Sequence, residues 1–338
     1  MVGQKRNVTL RDVSKVAGLS LITISRALRE PDSVKPETRK KIMQTIEEIG
    51  YVPNLTARSL VSQRSNMVGL VVPILTSSLF ADLAQGIAGV MHDNDLQMLI
   101  AVSERSAERE SEAVRTFLAR QADAIIVTGF THTLTCRKLL ENFKGPIVET
   151  LNLRDEAVDL SVGYSNFDAA AEMTHYLIDK GYQEIAMVSG DFENNDQAID
   201  RRDGFLSVMR AAGRTVRPEF IRSVPVPTTL ENGRDIMMAL IDGPVRPDVV
   251  FFQAEILAHG AVMACLACGL KMPEDIAVAG FGDLKLSALL PVPLTTIHVP
   301  SEEIGIRAAR LVIDRLGEAE IQTAAHDVGY EIKVRQSA

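Results

Sequence analysis

Charged and hydroxyl side chains follow several apolar runs of this sequence, and their types point to ligand binding. Two arginines in one cleft could hold a carboxylate or phosphate by paired hydrogen bonds, whereas carboxylates and hydroxyls suit the hydroxyl groups of a sugar. The pattern therefore predicts a site for an acidic, sugar-like ligand. Each of these residues, taken singly, could instead be a surface or helix-capping group. The predicted ligand contacts are Ser77, Phe80, Arg105, Thr128, Glu149, Arg201, Glu255 and Asp283.

Motifs for catalysis are missing from the sequence, which contains no GxxxxGK[ST], GxSxG or HExxH. The six histidines are scattered at distances that give no metal pair on a helix. Cys265 and Cys268 form a C-x-x-C, but they sit in an apolar helical stretch without a second such pair. We expect inert, partly buried thiols there. The sequence thus predicts a protein that is not an enzyme and that uses neither a cofactor nor a metal.

A second group of residues, near the start of the chain, has the spacing of a helix-turn-helix. Thr9 stands three residues before Asp12, the spacing at which a hydroxyl and a carboxylate cap a helix that begins at about Leu10. Gly18 is suited to end that helix, and Ser20 offers an N-cap to the next. We expect two crossed helices joined by a four-residue turn.

The second helix of this pair would present one face to DNA. Its other face would join a small core formed by Leu10, Val13, Ala17, Ile24 and Leu28. The side chains at or near the exposed face are Leu21, Ile22, Ser25 and Arg26. Recognition helices offer these positions to the major groove.

A third helix and a short connecting segment complete this part of the chain. Ile42, Ile46 and Ile49 repeat on one helical face, with Pro36 suited to the first turn and Gly50 to the end. The following PNLTARSL has a helical pattern with too few apolar residues to fold alone. A leucine there, Leu60, could enter the minor groove as an apolar wedge, and the alternative is a plain linker.

Charge is unevenly divided along the 338 residues. Residues 1–65 carry a net charge of +6, and the remainder carries −14, within a total of −8. The basic end is therefore a candidate polyanion-binding domain attached to an acidic body. The alternative is that the excess positive charge belongs to a solvated surface without a binding role. The capped helix-turn-helix pattern makes this alternative less favoured.

Ten short apolar runs after residue 66 alternate with helical patterns and define the body of the protein. The predicted strands are Val68–Pro73, Gln97–Val102, Ala124–Thr128, Pro146–Thr150, Leu160–Gly163, Glu184–Val188, Arg222–Val226, Asp248–Phe252, Ile276–Gly280 and Thr295–Val299. Runs such as VGLVVP are apolar on both faces, as buried parallel strands are. Ten strands exceed one ordinary lobe, so we predict two doubly wound α/β lobes with a ligand cleft between them.

The start of the chain, MVGQKRNVTL, lacks the apolar core of a signal peptide, and no run of about 18 apolar residues follows. We therefore expect a cytoplasmic protein. The three cysteines agree, because secreted domains usually pair theirs.

Over essentially its whole length the sequence resembles the lactose/galactose repressor family of bacterial transcription regulators. The resemblance rests on VTLRDVSKVAGLSLITISRAL, ETRKKI, EEIGYVPN and ARSL, and further on VGLVVP, RRDGF, AVAGFGD, PLTTIHVP and EIGIRAARLVIDRL. Within the family, VETLNL, VGYSNFDAA and GFGDL are most similar to the gluconate repressor branch, whose effectors are sugar acids. This resemblance implies a helix-turn-helix headpiece at 1–52, a hinge helix and linker at 53–65, and a periplasmic-binding-protein-like core at 66–338. In that core the N-lobe would be about 66–164 and 298–325, and the C-lobe about 165–297 and 326–338.

The resemblance further implies a homodimer that binds a palindromic operator and is controlled by a sugar acid such as gluconate or 2-ketogluconate. Leu21, Ile22 and Arg26 would read bases, Thr9, Ser20 and Ser25 would contact phosphates, and Arg201 would be the main effector arginine. Further DNA contacts are predicted for Lys35, Asn54, Ala57 and Leu60. Lys35 stands where the family usually has a Ser or Thr N-cap.

Two departures from the family pattern bear on the ligand. The usual Asn-Asp is Ala254-Glu255 here, and the usual Asp of a GYD turn is Gly282, followed by Asp283. Both changes weaken the polar contacts that a neutral sugar would need. Two other classes remain as alternatives: a sugar-binding module without DNA regulation, and an enzyme with an appended DNA-binding domain.

Overall fold

The computed structural model describes residues 8–52, 64–154 and 156–338 and divides the chain into two units, Met1–Ser65 and Asn66–Ala338. The predicted hinge helix, with Asn54, Ala57 and Leu60, lies outside the described residues. In the described part of the chain, every helix is too short or too polar to cross a membrane.

The first unit consists of three helices, α1 (Leu10–Ala17), α2 (Leu21–Arg29) and α3 (Pro36–Ile49), with a 3-10 turn at Pro31–Ser33. The start of α1 is capped as predicted: the Thr9 amide and hydroxyl donate to Asp12 Oδ2 at 2.9 and 2.6 Å. The left-handed φ of 64° at Gly18 ends α1, and Ser20 Oγ accepts from the Thr23 amide at 3.1 Å. The predicted helix-turn-helix is confirmed.

A small apolar core holds these helices together. Val13, Ile24, Ala27 and Ile42 are buried in it, and Leu10, Leu28, Ile46 and Ile49 pack against it. About one residue in three of α1 and α2 thus points inward at helical spacing, which leaves the opposite face of α2 in solvent. The predicted core residues, including Ala17 at 1% exposure, are confirmed.

The second unit contains two six-stranded sheets. The first has the order β11-β5-β4-β3-β1-β2 and is wholly parallel, as doubly wound lobes require. Its strands are β1 (Met67–Val72), β2 (Gln97–Val102), β3 (Ala124–Thr128), β4 (Ile147–Thr150), β5 (Leu160–Gly163) and β11 (Ala325–Asp327). The helices between or upon them are α4 (Ser78–Asp93), α5 (Ala107–Ala119), α6 (Leu134–Glu141) and α11 (Ser301–Leu316).

The second sheet has the order β12-β10-β9-β8-β6-β7 and is parallel except for the edge pair β10 and β12. Its strands are β6 (Ile185–Gly190), β7 (Ile221–Val224), β8 (Val249–Phe252), β9 (Ala277–Gly282), β10 (Thr295–His298) and β12 (Glu331–Lys333). Its helices are α7 (Asn166–Asp179), α8 (Asp196–Ala211), α9 (Leu230–Ile241) and α10 (Glu255–Ala267), with a 3-10 turn at Pro218–Phe220.

The chain crosses between the two sheets three times. The crossings follow β5, β10 and β11, since α7 leads into the second sheet, α11 packs on α4 of the first, and β12 returns to the second. Each lobe is therefore assembled from separate stretches of sequence. All ten predicted strands are found within two residues of their predicted ends, and the three-residue edge strands β11 and β12 were not predicted.

Glycines bring paired helices into backbone contact. A Cβ at Gly86 of α4 would lie 2.3 Å from the Glu302 carbonyl oxygen of α11, and one at Gly305 would lie 2.2 Å from that of Leu83. The α9 and α10 pair repeats this arrangement at Gly233 and Gly260. No side chain fits at these crossings, so glycine sets the distance between the helices.

Candidate functional site

The exposed face of α2 is the candidate DNA-binding surface. Leu21 and Ile22 are 39% and 72% exposed, although both are apolar. Arg26 is exposed as well, Ser25 is half-buried, and no carboxylate of the described chain lies within 4.0 Å of the Arg26 guanidinium. Exposed apolar residues beside an unpaired arginine suit thymine methyl groups and a guanine edge.

Hydroxyl groups at the helix starts are already engaged in capping. Thr9 Oγ1 donates to Asp12, and Ser20 Oγ accepts from the Thr23 amide and lies 2.9 Å from Thr23 Oγ1. A phosphate contact by the Thr9 hydroxyl proton would require breaking its bond to Asp12. Lys35 is exposed at the N-cap position of α3 and makes no side-chain cap, as its residue type predicts.

A cavity of about 390 Å³ lies between the two sheets of the second unit, and we call it the cleft cavity. Its volume is in the range usual for small-molecule sites. Residues after β1, β2 and β5 form one wall, and residues of α8 and those after β7, β8 and β9 form the other. Five of the predicted contacts line it: Ser77, Phe80, Arg105, Arg201 and Glu255.

Arg201 of α8 is rigidly held at this cavity. Its guanidinium donates to Asn166 Oδ1 and to the Gln253 carbonyl, both at 2.7 Å, and to the Tyr164 hydroxyl at 3.2 Å. Its central carbon also lies 3.8 Å from the centre of the Phe281 ring. A guanidinium has five N–H donors, so this arrangement orients the group and leaves donors for a bound anion.

Arg105, in the loop after β2, brings a second positive charge to the cleft cavity. Burial lowers the pKa of Arg105 to about 10, and the charge of Arg201 acts in the same direction, while Asp196 opposes it. Within the described residues, no carboxylate lies within 4.0 Å of the Arg105 guanidinium. Two neighbouring guanidinium groups without a close counterion favour an anionic ligand.

Glu255 begins α10 at the floor of the cavity and is only 3% exposed. Its carboxyl group accepts hydrogen bonds from the hydroxyls of Ser287 and, at 2.6 Å, Thr296. Ser287 Oγ lies in turn 2.7 Å from His259 Nε2. Burial raises the pKa of Glu255 to about 7 and lowers that of His259 to about 4, so this network holds a carboxyl that titrates near neutrality.

Three predicted ligand contacts do not line the cleft cavity, and each has partners elsewhere in the structure. Asp283 forms ion pairs with Arg335 at 2.7 Å and His298 at 3.1 Å. Thr128 lines a separate hollow of about 30 Å³ and donates to the Val71 carbonyl. Glu149 is fully buried in β4 and bonded to His132, because its side chain enters the layer between the sheet and the loop before α6.

A buried cluster of ionisable groups, unrecognised in the sequence, surrounds His132. Its ring lies between two carboxylates, with Nδ1 2.6 Å from Glu110 Oε1 and Nε2 3.0 Å from Glu149 Oε1. These bonds raise the pKa of His132 to about 9 against the effect of burial. Cys136 is fully buried beside them, and burial raises the pKa of its thiol to about 12. The only sequence signal was the short spacing of His132 and Cys136.

Sequence reasoning also missed the groups that orient Arg201. Tyr164 and Gln253 directly follow β5 and β8, so the rule that found the other contacts applied to them as well. Phe281 lies inside β9, where the sequence pattern predicts only that an apolar residue belongs to the hydrophobic core. Cys265 is buried and Cys268 exposed, which agrees with the expectation of partly buried thiols.

Comparisons with known proteins agree with both parts of this architecture. Residues 9–54 match the family described as "Bacterial regulatory proteins, lacI family", and residues 174–338 match "Periplasmic binding protein-like domain". The chain is 32% identical over 329 residues to the HTH-type transcriptional regulator GntR of Pseudomonas aeruginosa, covering 97% of this chain and 95% of that protein.

Solved structures show the same likeness. A LacI-family transcriptional regulator from Silicibacter pomeroyi superposes with a TM-score of 0.91 at 29% identity, covering 98% of this chain and 99% of that one. The transcription regulator GntR from Chromobacterium violaceum has a TM-score of 0.75 at 28% identity, covering 80% of this chain and 98% of that one.

Proposed function

The chain belongs to the lacI family of bacterial regulatory proteins, and on that premise we propose that it is a repressor controlled by a sugar acid such as gluconate or 2-ketogluconate. Its relatives are named as transcriptional regulators, and like them it is a DNA-binding regulator rather than an enzyme. We further propose that it acts in the cytoplasm as a homodimer on a palindromic operator.

The pair Arg105 and Arg201 is the observation that carries the proposed ligand class. Both line the cleft cavity, and neither forms an ion pair within 4.0 Å among the described residues. A carboxylate placed between them gains charge-assisted hydrogen bonds, each worth roughly 1.5–3 kcal/mol. A neutral sugar offers no such partner, and bringing it there would leave two partly desolvated cations without a counterion.

Hydroxyl groups of the ligand would meet the rest of the cavity. Ser77, Thr228 and Gln253 line it together with the apolar side chains of Ile74 and Phe80. Such mixed walls suit a short polyhydroxylated chain, and Ala254 stands where the resembled family usually has an asparagine, which weakens the polar contacts that a neutral sugar would need. The similarity of VETLNL and VGYSNFDAA to gluconate repressors favours an aldonate or ketoaldonate over other acids.

Helix α8 contacts both the cleft cavity and the first lobe, so it can couple ligand binding to the arrangement of the two lobes. Arg201 lines the cavity, while Asp196 and Asp200, five residues and one residue before it, accept hydrogen bonds from Asn152 of the first lobe, each at 2.7 Å. Arg154 Nη2 also lies 2.8 Å from both oxygens of Asp200. A ligand that prefers one lobe arrangement would shift the population toward it, and DNA binding would respond through the same equilibrium.

A thermal-shift panel tests the ligand class. Gluconate, 2-ketogluconate, other aldonates, their phosphates and neutral sugars are compared, because a ligand of the native state raises stability by about 2.7 kcal/mol at 100 times its dissociation constant. We expect a rise in Tm with an aldonate or ketoaldonate, and a loss of affinity of about 10- to 100-fold in Arg201→Ala.

The adjacent Arg202→Ala is the matched control, since Arg202 pairs with Asp203 at the surface and does not line the cavity. It should keep the full shift. A neutral sugar that shifts Tm while every acid fails would overturn the proposed ligand class, and an undiminished shift in Arg201→Ala would remove Arg201 from the site.

A further inference from the structure

We propose that Glu110, His132 and Cys136 form a binding site for one Zn²⁺ ion in the first lobe, apart from the cleft cavity. Glu110 belongs to α5, Cys136 to α6, and His132 to the loop between β3 and α6. His132 Nδ1 lies 2.6 Å and Cys136 Sγ 3.5 Å from the same oxygen, Glu110 Oε1. All three donor atoms lie within 4.8 Å of one another, close enough for one ion to touch all three.

The donor set indicates the class of metal. One imidazole nitrogen, one carboxylate oxygen and one sulfur make a mixed, borderline-soft set, which Zn²⁺ accepts in tetrahedral geometry. Ca²⁺ and Mg²⁺ prefer oxygen ligands alone. Cys136 is fully buried, Glu110 is 6% exposed, and the His132 side chain is 1% exposed, so few water molecules compete for the ion.

A further carboxylate orients the histidine as in known metal sites. Glu149 Oε1 lies 3.0 Å from His132 Nε2, and its other oxygen accepts from the Val158 amide at 2.6 Å. Metal-binding histidines usually donate their second ring N–H to such a carboxylate, which fixes the ring and its tautomer. Here that contact turns Nδ1 toward Glu110 and Cys136.

A small hollow adjoins Glu110 and could supply a water molecule as the fourth ligand, although His132 and Cys136 do not line it. The hollow of about 30 Å³ that Glu110 lines with Ser103 and Thr128 has the size of one water molecule. Three protein ligands and one water complete a tetrahedral zinc site. Binding would exchange the protons now held by the imidazole and the thiol for the metal, and those protons would leave to solvent.

Cobalt titration of the full chain tests this site. The variant Cys265→Ala/Cys268→Ala removes the other two thiols and serves as the background protein. We expect one Co²⁺ per chain, with the near-ultraviolet charge-transfer absorption of a cobalt thiolate, displaced by Zn²⁺ and accompanied by a zinc-dependent rise in Tm. Adding Cys136→Ser should abolish the absorption, and Glu149→Gln should weaken zinc binding about 10- to 100-fold.

X-ray absorption at the zinc edge of the unsubstituted protein gives a result that does not depend on folding of any variant. We expect one sulfur neighbour at about 2.3 Å and nitrogen or oxygen neighbours at about 2.0–2.1 Å. The proposal fails if zinc shows no sulfur neighbour, if the background protein gives no charge-transfer band, or if the band survives Cys136→Ser. In those cases the cluster is an ion triad of two carboxylates and an imidazolium.

Discussion

At the scale of single residues, the buried carboxyl of Glu255 links stability to pH. Its folded pKa of about 7 lies above its ordinary value of 4.5, because burial disfavours the charged form. Between those values the folded state binds more protons than the unfolded state, so the free energy of unfolding falls as pH rises through this window. The stabilising contribution is complete below about pH 4.5 and lost above about pH 7.

Glu255→Gln removes this titration and should change the pH profile. We expect the difference in free energy of unfolding, wild type minus variant, to become less favourable to the wild type as pH rises from about 5 to about 8. Urea unfolding at both values measures it. Glu231→Gln is the control, since Glu231 is exposed in the same cavity and its folded pKa is lowered. Parallel profiles for wild type and Glu255→Gln would contradict the assignment.

Two exposed cations of the first unit should affect DNA binding differently. Arg26 on α2 is placed to read a guanine, so Arg26→Ala should cost about 1–3 kcal/mol at the operator and relax its sequence preference. Lys35→Ala should weaken binding to all sequences alike and reduce the salt slope by about 1, as loss of a phosphate contact does. Measuring the binding of both variants to operator and to random DNA over a series of salt concentrations distinguishes the two roles. An unchanged preference of Arg26→Ala for the operator would contradict the proposed base-reading role of Arg26.

At the scale of elements, backbone contact between helices fixes the geometry of each lobe. Gly86 of α4 lies against the Glu302 carbonyl of α11, while Gly89, one turn further along α4, has open space where a Cβ would stand. The same helix thus contains one glycine that packing requires and one that it does not.

Gly86→Ala should destabilise the protein by about 1–3 kcal/mol, because the added methyl forces α4 and α11 apart. Gly89→Ala should be neutral or stabilising by up to about 1 kcal/mol, since alanine is the better helix former. Chemical unfolding of both variants measures the contrast. Equal effects from the two substitutions would mean that α4 and α11 do not pack at this distance.

Elements with a local signal were predictable, and contacts between distant residues were not. Residue types and apolar patterns within a few positions predict the Thr9 cap, the helix end at Gly18 and the long apolar strands. The three-residue strands β11 and β12 carry no periodicity long enough to detect. Asp283 forms an ion pair with Arg335, 52 residues later in the sequence. The position of Asp283 after a strand does not predict that partner.

At the scale of the whole molecule, several contacts between the two lobes lie next to the cleft cavity. Asp200 joins α8 to Asn152 and Arg154 of the first lobe, next to Arg201 at the cavity. A further ion pair joins the lobes among the described residues, between Lys285 and Asp82 at 3.2 Å. The two-lobe architecture followed from the number of strands, but these joining contacts depend on how the lobes pack and were not predicted.

Asp200→Asn should weaken the arrangement that these contacts hold without touching the ligand. We expect effector affinity to fall by up to about fivefold, since a half-exposed ion pair contributes ~1 kcal/mol or less. Calorimetric titration measures this change, with Asp203→Asn as control because Asp203 pairs only with surface arginine Arg202 among the ion pairs of the described chain. Equal effector affinity in the wild type and Asp200→Asn would show that Asp200 does not contribute to ligand binding.

The first sheet is completed by residues that the ribosome makes long after the other five strands of that sheet. Strand β11 pairs with β5, yet about 160 residues separate them. At roughly 5–20 residues per second, translation leaves the nascent sheet for roughly 10–30 s without its last strand. Helix α11, whose Ile304 and Ala308 share a core cluster with Leu83 and Ile87 of α4, also emerges after nearly all of the second sheet. Chaperone protection during synthesis should therefore matter most for the apolar face of α4.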